Sequence, residues 1–299
     1  MTRPPLVLDL DGSVLPLPGE IRPALPQEWR ETLRFGCGTE AFRWAGAALS
    51  SRTPSYETHG PVLMGSGDFH HLSWPLIHRC LEQAEAAVRV VVLDNHPDSM
   101  VFPWGVHCGS WIGRMAMDPR VAEVHVVGVT SEDLGAAHAW EHDLRAVKAG
   151  RATYWSVGVD VEWAHRRGFG ERFRSFGDTG ALTTALCGYL KDDPAPTYLS
   201  IDKDVFAPDV VRTNWDQGQM TAAQGLDIVA ALNGHLVGAD ITGEVSLHRY
   251  RTWWKRWLSR MDGQTVEPSA EVVARWQQDN HPFNLQLVAA LQAAWRIAQ

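Results

Sequence analysis

Six side chains able to hold metal ions stand directly behind apolar runs that read as β-strands. After VVVL comes Asp94-Asn-His96-Pro-Asp98, and after TYLSI comes Asp202-Lys-Asp204. After VLM comes GSGDFHHLS, which offers His70 or His71. Residues at i, i+2 and i+4 of an extended segment point the same way, so each group can converge. Two histidines and four carboxylates held together would be costly without cations. Two divalent ions about 3.5–4 Å apart would balance that charge and activate a bridging water. Oxygen-rich ligation with some imidazole suits manganese. A lone D-x-D or D-x-H is commonplace and usually ends as a solvated strand end or turn. Three such pieces in order, each behind an apolar strand, make a specific signal.

The elements that must position these residues alternate along the chain. Strands are expected at Leu6–Leu10, Val62–Gly65, Val88–Leu93, Val121–Val129, Ala152–Val159, Thr197–Ile201 and His235–Ile241. Helical patterns fall at Pro75–Ala87, Glu132–Lys148, Ala181–Leu190, Ala222–Leu232, Leu247–Met261, Ala270–Gln278 and Leu285–Ile297. Ser131, Glu132 and Asp133 suit the start of the second helix and Gly150 its stop. Alternation of this kind predicts βαβ units and a mostly parallel sheet with helices on both faces. The continuous apolar run before Asp94 fits a strand buried on both faces. With no repeat, low-complexity tract or clear linker, residues 1–299 read as one domain. In such sheets ligands bind at the carboxyl ends of the strands, where the metal-binding types lie.

Composition narrows the partners. The 299 residues are 45% hydrophobic and 21% charged, with a net charge of -8. That balance argues against nucleic acid or anionic membrane as a general partner, and it suits a small cation. The segment HRYRTWWKRWLSR interleaves basic and aromatic residues. It could stack bases or lie on a membrane; a helix docked on the sheet or on another subunit is the preferred reading. Cys37, Cys80, Cys108 and Cys187 form no C-x-x-C pair and read as reduced thiols. The amino terminus lacks a signal-peptide core and no apolar run is long enough to span a bilayer, so a soluble cytoplasmic protein is expected. The 14 tryptophans read as core and interface area.

The ordered set GSGDFHHLS, DNHPD and SIDKD resembles the arginase and agmatinase family, the ureohydrolases. That family carries a Gly-Gly-Asp-His-Ser-like segment, then Asp-x-His-x-Asp, then Ser-x-Asp-x-Asp. FAPDVVRTNWDQGQMTAAQ and GADITGEVS also resemble family stretches, so the likeness spans about residues 61–246. The resemblance implies a three-layer αβα sandwich with a mostly parallel sheet of about eight strands, as in arginases and deacetylases. It implies one metal on His70, Asp94, Asp98 and Asp202, and a second on His96, Asp94, Asp202 and Asp204. His71 is the alternative first ligand, because GDFHH carries an inserted residue. His107 in VHCGSW resembles the family's proton-relaying histidine, and Glu244 the acid that pairs with the substrate's guanidinium. The family's common assembly extends the expectation to a homo-oligomer.

The implied reaction is attack of a metal-bridging hydroxide on a guanidino carbon, releasing urea and an amine. Asp98 would orient the hydroxide and pass its proton to the leaving nitrogen, His107 would exchange protons with solvent, and Glu244 would hold the guanidinium. The loop after Asp98 reads SMVFPWGV, apolar where arginases bind the amino-acid end. Arginine itself is therefore disfavoured against a less polar guanidino compound, or a related amide or amidine. Three alternatives stand beside this reading. The first is a single-zinc deacetylase-like amidohydrolase on the same fold. The second is a haloacid dehalogenase-like phosphatase using Asp9 of LVLDLDGSV, disfavoured because Asp178 has no second acid behind it. The third is a binding protein on a degenerate scaffold, disfavoured because every ligand position is filled. Asp9 and Asp11 then read as rim or outer-shell residues. Asp160 and Glu162 of VDVEW read as a turn or surface pair.

Overall fold

Each residue of Val88–Leu93 is buried, which demands cover on both faces of the sheet that holds it. The structure, a computed structural model, describes residues 3–261 and 268–295. Its strands are β1 (Leu6–Val7), β2 (Gly36–Gly38), β3 (Val62–Leu63), β4 (Val88–Leu93) and β5 (Gly105–His107), then β6 (Val121–Val129), β7 (Ala152–Val157), β8 (Phe173–Phe176), β9 (Thr197–Asp202) and β10 (Leu236–Thr242). Eight of them form one sheet in the order β1-β3-β10-β9-β4-β6-β7-β8, and β2 pairs with β5 in a separate ribbon. The ladders of the large sheet are parallel.

The helices are α1 (Trp29–Leu33), α2 (Thr39–Arg52), α3 (Ser73–Gln83), α4 (Ile112–Met115) and α5 (Arg145–Lys148), followed by α6 (Glu162–Arg166), α7 (Thr179–Asp192), α8 (Ala222–Ala231), α9 (Trp253–Met261) and α10 (Ala270–Ala294). The alternation of β4 divides the core. Val88, Val90 and Val92 pack with Phe42 and Leu49 of α2 and Leu76 and Ile77 of α3. Val91 and Leu93 pack with Leu182 and Leu186 of α7, Ile228 of α8 and Leu287 and Leu291 of α10. Two apolar faces covered by helices make the expected αβα layering.

Chain order reverses between β4 and β9. From β4 the chain steps outward to β6, β7 and β8; from β9 it steps the other way to β10. Ligand crevices of open α/β sheets form at such a switch, outside the carboxyl ends of the strands. Register then sets height: Leu93 pairs with Ile201, and Ile241 with both Ile201 and Leu63. Asp94 and Asp202 therefore leave neighbouring strands at the same level.

Three expected elements differ. Residues 132–148 are not one helix: Gly135 is extended at ψ 174° and ends the first turn. The backbone farther on clasps the loop that carries Asp98 instead. Asp143 N–H donates to Ser99 O and Val101 N–H to Glu141 O, and only Arg145–Lys148 is α-helical. The two helices expected around Pro282 are one, α10; burial of Phe283, Leu287 and Leu291 offsets the backbone bond that proline removes. The expected end at Ile297 lies outside the described residues. Helix α9 begins at Trp253 rather than Leu247, with Trp253 and Trp257 exposed and Trp254 packed inward; of its expected basic residues, the side chain of Arg260 lies outside the described set. Helix α2 and strand β8 were not anticipated. Among the described residues no helix is long and apolar enough to cross a membrane, and the four cysteines are free thiols.

Candidate metal centre

The six expected ligands come from three loops at the switch point. Gly65, at φ 95°, turns the chain out of β3 into a tight 3-10 segment, Gly67–Leu72, whose Ser66 accepts a bond from Asp68 N–H. That segment delivers His70. Its Nδ1 lies 3.0 Å from Asp94 Oδ2, 3.0 Å from Asp98 Oδ2 and 3.6 Å from Asp202 Oδ2. On the other side, His96 Nδ1 lies 3.1 Å from Asp204 Oδ2 and 3.5 Å from Asp94 Oδ1. Two trios result, His70–Asp94–Asp202 and Asp94–His96–Asp204, each with ligand atoms within 4.8 Å of one another. They share Asp94. His71, the alternative, lies outside both: it is buried with neither ring nitrogen hydrogen-bonded, packs beside Phe42, and burial pushes its pKa down to about 3.

Outer partners aim the ligands. His70 Nε2 lies 3.0 Å from Ser200 Oγ, which bonds Asp240, itself held by Ser73 and Tyr198. His96 Nε2 lies 2.8 Å from Asp216 Oδ1. Metal-binding histidines characteristically give their second nitrogen to such a partner. Asp202 Oδ1 accepts Asp204 N–H, and Asp204 Oδ1 accepts Asn95 N–H. Asp98 has φ 46°, one of two positive values outside glycine among the described residues; its Oδ2 accepts Trp111 Nε1–H at 2.6 Å.

Burial and charge crowding shift the acids of the cluster. Burial, then Asp94 beside it, pushes Asp98 up to about 7. Burial and Asp94 likewise push Asp204 up to about 6, and burial with Asp204 drives Asp202 well up. Burial would raise Asp94 too, but the His70 and His96 bonds hold it below the usual carboxylate range. Both histidines are raised against the pull of burial, His70 by Asp94 and Asp98, His96 by Asp204 and Asp216. Asp94 Oδ2 is fully enclosed, with His70 Nδ1 3.0 Å away. A largely buried donor set of two imidazoles and four carboxylates, backed by outer partners, fits divalent cations.

The remaining expected residues sit differently. His107 ends β5, and its Nδ1 accepts Gly109 N–H; burial, helped by Arg114, holds it at about 4, so the imidazole is neutral at pH 7. Glu244 stands apart from the cluster. Gly243, just before it, takes φ 89°, and Glu244 Oε1 faces Lys203 Nζ at 2.6 Å, with Asn284 on the same oxygen. Its charge is already matched inside the protein. Asp9 pairs with Arg22 near the surface. Asp11 is locked to Arg34, which also grips Asp68 at 2.6 Å, so the DLDGS motif braces the His70 loop. Asp160 caps the backbone of Glu162. Sequence reasoning missed Ser200, Asp216, Trp111 and Arg34; Ser200, Trp111 and Asp216 all lie inside the segments that carry the resemblance.

No family model matches the chain. It is 26% identical over 186 residues to an uncharacterized protein of Thermotoga maritima, a match covering 62% of this chain and 58% of that one; the chain thus spans little more than half of that relative. Among solved structures it is similar to proclavaminate amidino hydrolase of Streptomyces clavuligerus, with a TM-score of 0.51 and 18% identity over 86% of this chain and 71% of that one. The chain has the arginase/agmatinase, or ureohydrolase, fold in a divergent form. Formiminoglutamase of Trypanosoma cruzi with Mn2+2 shares this ureohydrolase fold at TM-score 0.52 and 12% identity, over 93% and 75% of the two chains. A hypothetical agmatinase of Burkholderia thailandensis does so at 0.50 and 16%, over 95% and 85%.

Proposed function

We propose that the protein is a binuclear-metal hydrolase that cleaves a C–N bond at a guanidino carbon, releasing urea and an amine, or at a related amidino carbon, releasing an amide and an amine or ammonia. The observation that carries this reading is the pair of His–Asp trios sharing Asp94 at the switch point. Support comes from the ureohydrolase fold, since its structural neighbours include an amidino hydrolase, a formiminoglutamase with manganese and a hypothetical agmatinase.

His70, Asp94, Asp98 and Asp202 would hold one cation, and His96, Asp94, Asp202 and Asp204 the other, with manganese the best match to the donors. Bound cations supply Lewis acidity, which acidifies water and stabilises negative charge on a reacting oxygen. Trp111 fixes Asp98, and Asp98 is assigned the proton that water must lose and the departing nitrogen must gain. Asp216 and Ser200 hold the two imidazoles in their ligating orientation. His107 is assigned proton exchange with solvent in its neutral form. Glu244 is assigned to bracing Lys203 rather than to the guanidinium.

Metal analysis followed by a urea-release screen over guanidino compounds with added Mn2+ tests the reading. About two metals per chain and urea release, both lost in Asp94→Asn, are expected. One zinc per chain would redirect the assignment to the deacetylase-like reaction, and activity surviving in Asp94→Asn would remove this site from the chemistry.

A further inference from the structure

Beside the candidate metal centre stands a continuous wall of rings. Trp215, Phe35 and His107 lie nearly parallel, with planes 11° and 10° apart and centroids 6.2 and 6.0 Å apart. Phe102 meets His107 edge-on at 4.6 Å. The inner end touches the ligands: Trp215 is edge-on to His96 at 5.6 Å. A Cβ on Gly67 would sit 3.2 Å from Trp215 Cδ1 and 2.9 Å from Asp202 Oδ2, so the ring borders Asp202 as well. The outer end reaches solvent at Trp104, which is 79% exposed.

The wall is held in place with some backbone strain. Phe35 has φ 66°, the only other positive value outside glycine among the described residues, a conformation costly for a bulky side chain. It is kept there by Phe35 N–H donating to Asp68 O and by Cys108 N–H donating to Phe35 O. Arg114 pins the other side by donating to Phe102 O and Gly105 O.

Four buried or half-buried cations near the site are committed. Arg34 is bonded to Asp11 and Asp68, Lys203 to Glu244, and Lys255 to the carbonyls of Glu31, Thr32 and Arg34. Arg114 is spent on the two carbonyls just named. None of these four is placed to receive a substrate carboxylate. At the rim, Asp216 beside His96 is 62% exposed in its side chain and offers negative charge to an approaching cation.

Building on the hydrolase reading, we infer that the substrate is a guanidino compound whose tail is an aryl or alkyl group without a carboxylate, lying against the half-buried rings of Trp215 and Phe102, with the buried Phe35 as the support behind them. A planar cation and an apolar tail both gain against aromatic faces. Water adds across the guanidino carbon and its bond to the substituted nitrogen breaks, so the products are urea and the protonated aralkylamine.

The test compares benzylguanidine, methylguanidine and arginine on the full-length Mn2+-loaded protein, with calorimetric binding of benzylguanidine measured separately. Expected is a kcat/KM for benzylguanidine at least tenfold above that for arginine. Phe102→Leu, which keeps packing volume, and Phe102→Ala should each shrink the benzyl-to-methyl ratio at least fivefold, mainly through KM. Faster hydrolysis of arginine overturns the tail assignment while leaving the hydrolase reading intact. Benzylguanidine binding that weakens in Phe102→Leu, without urea from any compound, upholds the wall and removes the hydrolase reading. Neither binding nor hydrolysis of benzylguanidine overturns the inference.

Discussion

Lys203 Nζ lies 2.6 Å from Glu244 Oε1, and both side chains are buried. Lys203 stands between the candidate ligands Asp202 and Asp204, so this pair, with Asn284 on both partners, anchors their loop to α10. Removing one member leaves the other charge buried without its partner. Lys203→Met should therefore cost about 3–5 kcal/mol of stability, and the double variant Lys203→Met/Glu244→Gln should recover most of it. Urea unfolding of the metal-free protein measures both, and a single variant as stable as wild type would falsify the pairing.

Much of this centre was legible in the sequence, because strand ends announce themselves. VVVL, TYLSI and VLM are apolar runs that stop at ionisable residues, and parallel strands bring such stops to one edge of the sheet. Outer partners were harder to see. Ser200 and Asp216 acquire meaning only when His70 and His96 point at them, and their spacing along the chain carries no period. The surroundings of Glu244 were hidden for a similar reason: the motif reads Gly-Glu-Val, yet Gly243 turns and Lys203, at a position usually invisible to motif reading, faces the carboxylate. The helix expected over residues 132–148 failed because propensity cannot register that residues 141–143 are needed as a clasp for the Asp98 loop.

Outer partners should tune metal affinity without forming it. Ser200→Ala and Asp216→Ala remove the bonds to His70 Nε2 and His96 Nε2, and each should weaken Mn2+ binding about 10–100-fold. Competition against a metal indicator reads this directly. The two sites should also separate, with Asp216→Ala affecting one of two binding steps; unchanged affinity in both variants would leave these residues without an orienting role.

Acid should destabilise the protein through a buried histidine that precedes β3, outside the candidate metal centre. His59 is buried beside Gly60 O, and burial pushes its pKa down to about 4, against about 6.5 unfolded. Between those values the unfolded chain binds more protons, so stability falls as pH drops from about 6.5 towards 4. The full contribution is on the order of 3 kcal/mol. His59→Asn, which can still donate to Gly60 O, should flatten that limb of a plot of unfolding free energy against pH. An unaltered limb would move the acid sensitivity elsewhere.

Asp98 allows fold and chemistry to be separated. Its φ of 46° is a conformation that asparagine tolerates well and alanine does not. Burial, then the charge of Asp94 beside it, drives its pKa up to about 7. Asp98→Asn preserves an acceptor for Trp111 Nε1–H and removes one acid from the crowd. The metal-free variant should therefore melt no lower than wild type in the presence of a chelator. Asp98→Ala should be less stable than Asp98→Asn by about 1–2 kcal/mol through the left-handed backbone alone. Activity should move the opposite way. Loss of a positioned proton carrier costs about 10²–10⁴-fold in rate, so Mn2+-loaded Asp98→Asn should lose kcat by about that factor. A variant that melts normally, retains metal and keeps its kcat would show that the proton passes through another group, with His107 next in line.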